Sequence, residues 1–431
     1  MSKLMGRLRA RLRALRLLQP LAERDFALLT TAAFVSLLGD GFFSVALAWQ
    51  VYSISNVPTA LSIVGFAWTL PLVFFLLLGG VLTDRYDRRW LMIGADLVRA
   101  AAIGLLGILA VMGSLQLWHI IALIGFVGLG DAFFNPAYTA IVPDLLPDDQ
   151  LPQANALAGL VRPLMVRLAG PAIGGFVVAG VGSGPAFLVD AASFIVSAAA
   201  VGAIVARPVR VVADHSLRRA FGEVREGLAF VRANPWCWAT LVAAFFSLLL
   251  FVGPVQVLLP FLVKNRLGLG PESLGGIYAV GGIGSVAAAI AVGQLGLPRL
   301  RVTVMYVAWT VGVALLAGYG LMTAFWMALA IGFVSAALFE VGSIIWTTRL
   351  QQLVPREMLG RVSSLDWLVS TGLVPVSFAL TGPVAGLIGA GPTMVAGGLV
   401  GAVFMGALLF VPRVRDPERA PPAVLVTGAA D

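Results

Sequence analysis

Three carboxylates stand where carboxylates are expensive: Asp40, Asp131 and Glu340 each interrupt a long apolar run. An ionisable side chain within hydrocarbon is costly unless paired or hydrated, so such residues mark either ion pathways or buried ion pairs. Asp40 is flanked by Gly39 and Gly41, which leave its carboxylate little covered by neighbouring side chains. Withdrawal from water disfavours the charged form of an acid, so a carboxyl group in such a place can take a proton at one face of a membrane and release it at the other. The rival reading for each acid is neutralisation by an arginine, with Arg162 and Arg167 as the candidate buried charge partners. Asp96 and Arg99, three residues apart on one helical face, read as a structural pair. Asp190 and Asp366, near the ends of their runs, also read as structural.

The elements that carry these acids follow from composition. Of 431 residues, 59% are hydrophobic and only 12% charged, against roughly 25% charged in soluble proteins. Such a chain cannot cover itself with polar surface, and lipid is the solvent that suits it. Helices are expected over 26–53, 60–82, 90–112, 118–142, 154–181 and 185–206, then over 236–263, 273–295, 302–322, 324–350, 363–388 and 393–411. Each run can cross a hydrocarbon core of about 30 Å, which takes about 20 residues. At a rise of 1.5 Å per residue, Asp40 lies about 21 Å into the first helix, and Asp131 and Glu340 about 16 Å from one end of theirs. All three acids are therefore expected near mid-depth.

Charge orients the chain. The net charge is +8, but the basic residues fall in short loops rather than on one folded face, which argues against a nucleic-acid partner. Basic residues at 85–89, 207–232, 299–301, 349–361 and 413–419 share one side with the N-terminal segment, whereas the opposite loops carry only Lys264 and Arg266. The positive-inside rule makes the basic side cytoplasmic, with both termini inside a multi-pass protein of the inner membrane. The segments expected are a basic N-terminal stretch (1–25), a six-helix bundle (26–206), a linker (207–235), a second six-helix bundle (236–412) and a tail (413–431). Leucines 4, 8, 12, 15 and 18 recur among the N-terminal arginines; they suit an amphipathic helix on an anionic leaflet or an unstructured basic tail. In the linker, Leu217, Phe221, Val224, Leu228 and Val231 repeat opposite charged residues, as a surface helix requires.

Several chemistries are disfavoured. Cys237 is the single cysteine, and His119 and His215 are far apart, so neither a disulfide, a metal centre nor a cofactor is expected. No nucleophile and base stand in a hydrolase pattern, which argues against an enzyme. The two lysines, Lys3 and Lys264, follow no glycine-rich loop, so the chain has no P-loop.

The two halves repeat. Leu146-Pro147-Asp148-Asp149-Gln150-Leu151 matches Val354-Pro355-Arg356-Glu357-Met358-Leu359, Gly170-Pro171 matches Gly382-Pro383, and Gly80 matches Gly293. A shift of roughly 210 residues recurring along a chain is the footprint of a parallel six-helix repeat with a site between its halves.

The loop from Gly80 to Arg89, with Asp84, Arg85 and Arg88, resembles the G-x-L-a-D-R-x-G-r-k signature of the major facilitator superfamily, with Asp87 in place of its second glycine. Phe133-Phe134-Asn135-Pro136-Ala137, Ala154-Asn155-Ala156-Leu157 and Phe187 to Phe194 resemble the branch that holds macrolide, tetracycline and siderophore exporters. Gly170-Pro171-Ala172-Ile173-Gly174-Gly175 is similar to the tail of the antiporter motif of drug:H+ exchangers. Val166 stands where that motif has a glycine, and Ile124 where the fourth helix of the branch has an arginine. The resemblance implies an all-α major facilitator fold of two six-helix bundles. It also implies gating roles for Gly80, Asp84, Arg85, Arg88, Gly170, Pro171, Gly174 and Gly175. In that fold the first, fourth, seventh and tenth helices line the cavity, so all three acids would face it, with Phe43, Phe134, Tyr138, Phe245, Phe246, Phe333 and Trp346. An aromatic chamber with few carboxylates suits lipophilic or cationic cargo. The function implied is proton-antiport export of drugs such as tetracyclines or macrolides by a monomer whose partners are a small-molecule substrate, protons and membrane lipid. A siderophore or metabolite exporter is the alternative, and a membrane-embedded enzyme the remote one.

Overall fold

A computed structural model describes residues 16–205 and 217–419; the side chains of Arg16, Leu77, Asp84, 217–224, Arg356, Glu357 and Arg419 are outside the described residues, as are the N-terminal leucines up to Leu15, Lys3 and His215. Hydrocarbon offers the backbone no partner, so each crossing segment must satisfy its own N–H and C=O groups, and helices do so. Among the described residues twelve helices are long and apolar enough to cross a membrane. The first six are α1 (Arg24–Ile54), α2 (Pro58–Arg85), α3 (Arg88–Val111), α4 (Leu117–Leu145), α5 (Leu151–Pro163 through Gly170–Val181) and α6 (Ser183–Gly202). The second six are α7 (Pro235–Asn265), α8 (Pro271–Leu295), α9 (Arg301–Leu321), α10 (Phe325–Leu353), α11 (Met358–Ile388) and α12 (Ala390–Leu408). Between the sets, Leu217–Ala233 forms a surface helix, tied to α11 by Glu226 and Arg361 at 2.5 Å.

Three helices expected as regular runs are interrupted, each at prolines. In α5 the stretch Leu164–Ala169 is π-helical, and the Gly170 N–H bonds the Met165 carbonyl five residues back. Pro171 has no N–H for the Arg167 carbonyl, so the turn widens. In α7, Pro254 opens a second π-helical stretch, Pro254–Leu258. In α11 the helix breaks at Leu373, ahead of Pro375.

The helix contacts repeat by six. Within the first half α1 packs on α5 and α6, α2 on α4, and α3 on α4 and α6; within the second α7 packs on α11 and α12, α8 on α10, and α9 on α10 and α12. The halves meet chiefly through two further pairs, α2 with α11 and α5 with α8, which exchange under the same shift. Lipid tails give helices no hydrophobic reason to associate, so close approach of small residues does much of the work. A Cβ on Gly41 of α1 would lie 2.6 Å from Gly170 Cα of α5, and one on Gly175 would lie 3.2 Å from Gly275 Cα of α8. Large apolar side chains such as Phe74 and Leu387 point outward, and Trp90, Trp118 and Trp326 are exposed at helix starts, where a membrane interface favours them.

Candidate functional site

Both contacts between the halves lie toward the face that carries the loops after α1 and α7. Gly175 sits against Pro271 and Gly275 at the start of α8, and Gly382 of α11 against Thr59 and Ser62 at the start of α2. At this closed face Asn56 and Asn265 bond each other reciprocally, Nδ2 to Oδ1 at 2.6 Å and 3.1 Å. The Tyr52 hydroxyl donates to the Val257 carbonyl at 2.6 Å, and the Gly382 N–H to Ser62 Oγ at 2.9 Å. Lys264, a basic exception among the loops of this face, lies over the Trp49 ring at 5.6 Å and donates to the Tyr52 carbonyl. Its charge is therefore occupied within the protein.

Toward the basic face the halves part around a cavity of about 880 Å³, with Phe26, Thr30, Ala154 and Leu157 near its mouth and Leu61 and Pro171 at depth. Its two walls differ in chemistry. The first half contributes Asp40, Arg99, Asp131, Arg162 and Arg167, whereas the second contributes Phe251, Tyr278, Tyr319 and Phe339 with Glu340 as its one charged residue. Cavities of this size hold drug-sized molecules.

Behind the first wall lies a polar network that sequence reasoning resolved only in part. Arg99 of α3 pairs with Asp96, as its spacing predicts, and reaches Asp131 of α4 at 3.0 Å. Asp131 also accepts from Trp68 Nε1 at 3.0 Å, and Asp96 from Ser197 Oγ at 2.7 Å. The guanidinium is held between the rings of Phe134 and Phe194, 4.3 Å and 4.2 Å from their centroids. Gly130 makes room, since a Cβ there would lie 2.6 Å from Arg99 Cγ. The arginine that neutralises Asp96 and Asp131 is thus Arg99; Arg167 does face Glu340, at 4.0 Å, but the expectation that Arg162 and Arg167 are buried is corrected, since both have exposed side chains in the cavity. The cause is position, since α5 forms the cavity wall rather than the interior of its bundle.

Asp40 lines the cavity half-buried, within Coulombic reach of Arg99, Asp131 and Arg162, and makes no ion pair within 4.0 Å among the described residues. Behind it stands Asp190 of α6, 0% exposed. Asp190 accepts from Ser193 Oγ at 3.3 Å through Oδ1, which occupies the space a side chain at Gly39 would fill, while Oδ2 has no hydrogen-bond partner among the described residues. The sequence signal was present, an acid in an apolar helix, but its place near a helix end hid its proximity to Asp40. Glu340 of α10 faces Arg167 across the halves at 4.0 Å.

The aromatic expectations separate by helix face. Phe134 and Tyr138 line the cavity. Phe43 instead packs on Trp68 and Phe187, Trp346 is buried against Trp236 and donates to Asp366 at 3.2 Å, and Phe246 packs tilted against Phe404, ring centroids 4.1 Å apart. Phe245 and Phe333 are among the exposed apolar side chains and do not line this cavity. A helix turns 100° per residue, so membership of a cavity helix does not place a side chain inside it.

Of the expected gating residues, Gly80 is not at a close contact: a Cβ there meets nothing within 4 Å, and its neighbour Gly79 packs on the Ala132 carbonyl. Arg85 is exposed, Arg88 pairs with Asp144, and the Asp84 side chain lies outside the described residues. Gly170, Pro171, Gly174 and Gly175 form the surface of α5 that meets α1 on one side and α8 on the other. Among the described residues no group of three or more His, Cys, Asp or Glu could hold a metal ion.

The macrolide efflux protein A of Streptococcus pyogenes is 24% identical over 358 residues, covering 82% of this chain and 88% of that protein. The multidrug efflux pump Tap of Mycolicibacterium fortuitum is 28% identical, covering 93% and 98%. The enterobactin exporter EntS of Escherichia coli is 28% identical, covering 92% and 94%. Among solved structures, a bacterial homologue of the iron transporter ferroportin in an inward-facing state superposes with a TM-score of 0.67 at 16% identity, covering 89% of this chain and 98% of the other. The nucleoside transporter NupG superposes with a TM-score of 0.66 at 11% identity, covering 89% and 98%. These structures share the fold. Residues 16–423 match the family described as transmembrane secretion effector, and the chain belongs to this family of major facilitator transporters.

Proposed function

We propose that the protein exports small lipophilic or cationic molecules in exchange for protons, by rocking its two halves around the cavity. The observation that carries this reading is Asp40, a half-buried carboxylate in the cavity wall with no ion-pair partner among the described residues. A carboxyl group in that place is free to exchange a proton for a cationic group, whereas Asp131 is held by Arg99 and Trp68. Efflux activity in the names of the macrolide and multidrug relatives supports export. The loop charges support a reading in which the basic face and both termini are cytoplasmic and the cavity opens inward. The proton enters from the more acidic outside, protonates Asp40 and leaves to the cytoplasm as cargo arrives. Asp131 and Glu340 are the next carriers in line.

The test is transport by purified protein in liposomes, with and without a pH gradient. Asp40→Asn is expected to fold, bind cargo and exchange it, yet lose uphill export. Uphill export at the wild-type rate would remove Asp40 from the mechanism.

A further inference from the structure

Two arginines in the cavity have less counter-charge than they need. Arg162 and Arg167 both line it, near mid-depth, and both side chains are exposed, Arg167 by 59%. Among the described residues Arg162 has no ion pair within 4.0 Å, and Arg167 has only Glu340, at the 4.0 Å limit and across the gap between the halves. Asp40 lies within Coulombic reach of Arg162, but it is neutral whenever it carries a proton. The two arginines are five residues apart, a spacing that would point them to different faces of an α-helix. The π-helical stretch Leu164–Ala169 begins two residues after Arg162 and contains Arg167, and its wider turn brings both to the cavity. Such stretches disrupt regular hydrogen bonding and occur often at functional sites. When the halves close around the cavity water leaves, and a guanidinium without a partner in a dry interior is strongly disfavoured.

Resting on the proposed export of lipophilic or cationic cargo, we propose that Arg162 and Arg167 bind an acidic group of the cargo, so that the preferred cargo is a zwitterion. Its carboxylate or comparable anion takes charge-assisted, bidentate hydrogen bonds from the arginines. Its cationic part lies at Asp40, and its apolar body against Phe251, Tyr278 and Phe339 of the other wall. Each cargo end then meets opposite charge, and proton exchange at Asp40 is driven by the cationic end.

Rhodamine B and its ethyl ester share one cationic ring system and differ in a free carboxylate. Their binding to the purified full chain in detergent, read by fluorescence anisotropy, tests the proposal. The wild type is expected to bind rhodamine B about tenfold more tightly than the ester. In Arg162→Gln/Arg167→Gln the two affinities converge to within about twofold, and Arg162→Lys/Arg167→Lys restores part of the difference. Because both side chains are exposed, the variants are expected to elute from size exclusion like the wild type. Equal or tighter binding of the ester by the wild type, or a preference that survives in the glutamine variant, would overturn the proposal while leaving the cationic cargo class intact. Binding of neither dye would overturn both.

Discussion

Arg99 is the residue on which the first half most depends for charge balance. It is 5% exposed, pairs with Asp96 and Asp131, and lies between two aromatic rings. Removing one partner of a buried ion pair leaves an uncompensated charge and costs about 3–5 kcal/mol. Arg99→Ala is therefore expected to destabilise the protein by about that amount in thermal unfolding in detergent, whereas a loss below about 1 kcal/mol would mean that the acids are already neutral. Arg99→Ala/Asp131→Asn should recover part of the loss, because it discharges one of the two stranded acids. The pairing of Arg99 with Asp96 was legible as an i,i+3 spacing. Its reach to Asp131 was not, because a contact between α3 and α4 depends on helix rotation and on the space left by Gly130, which one sequence does not specify. The same limit explains why Phe134 could be placed and Phe43 could not.

At the scale of elements, the surface of α5 that joins Gly170 to Gly175 holds two kinds of contact. Gly170 meets α1 inside the half, and Gly175 meets α8 across the interface. Bulk at the second contact should obstruct closure of the halves without unfolding either. In Gly275→Val the new Cβ meets the Pro171 carbonyl and Gly175 Cα, the latter at 3.1 Å. Overpacking of this kind costs about 1–3 kcal/mol, enough to shift the population about tenfold toward the state open at that face. Spin-label distances between the starts of α2 and α8 and the ends of α11 and α5 would lengthen; unchanged distances with wild-type stability would show that the contact does not govern closure. Twelve helices and their order were readable from apolar length, which hydrocarbon thickness sets, and the repeat from motifs recurring at one shift. The π-helical stretches were not, because the prolines that cause them are also tolerated in straight helices.

At the scale of the molecule, the hydrogen bonds between the halves gather toward one face, and Asn56 with Asn265 sits at its rim. Cys237 is the single native cysteine and is buried, so cysteines placed at 56 and 265 can be joined selectively by a short bis-maleimide. The joined protein is expected to bind cargo from the cavity side and to lose transport almost completely; transport at the rate of the unjoined protein would mean that this rim does not open. Across the rim the bonds run between amides, hydroxyls and carbonyls, with a single ammonium, Lys264, and no carboxylate among them. Among the described residues these bonds offer no acid to protonate, and added salt screens neutral hydrogen bonds little. Acidification of the buffer therefore acts on the resting state through the carboxylates of the cavity. A change of state on acidification becomes a readout of cavity protonation.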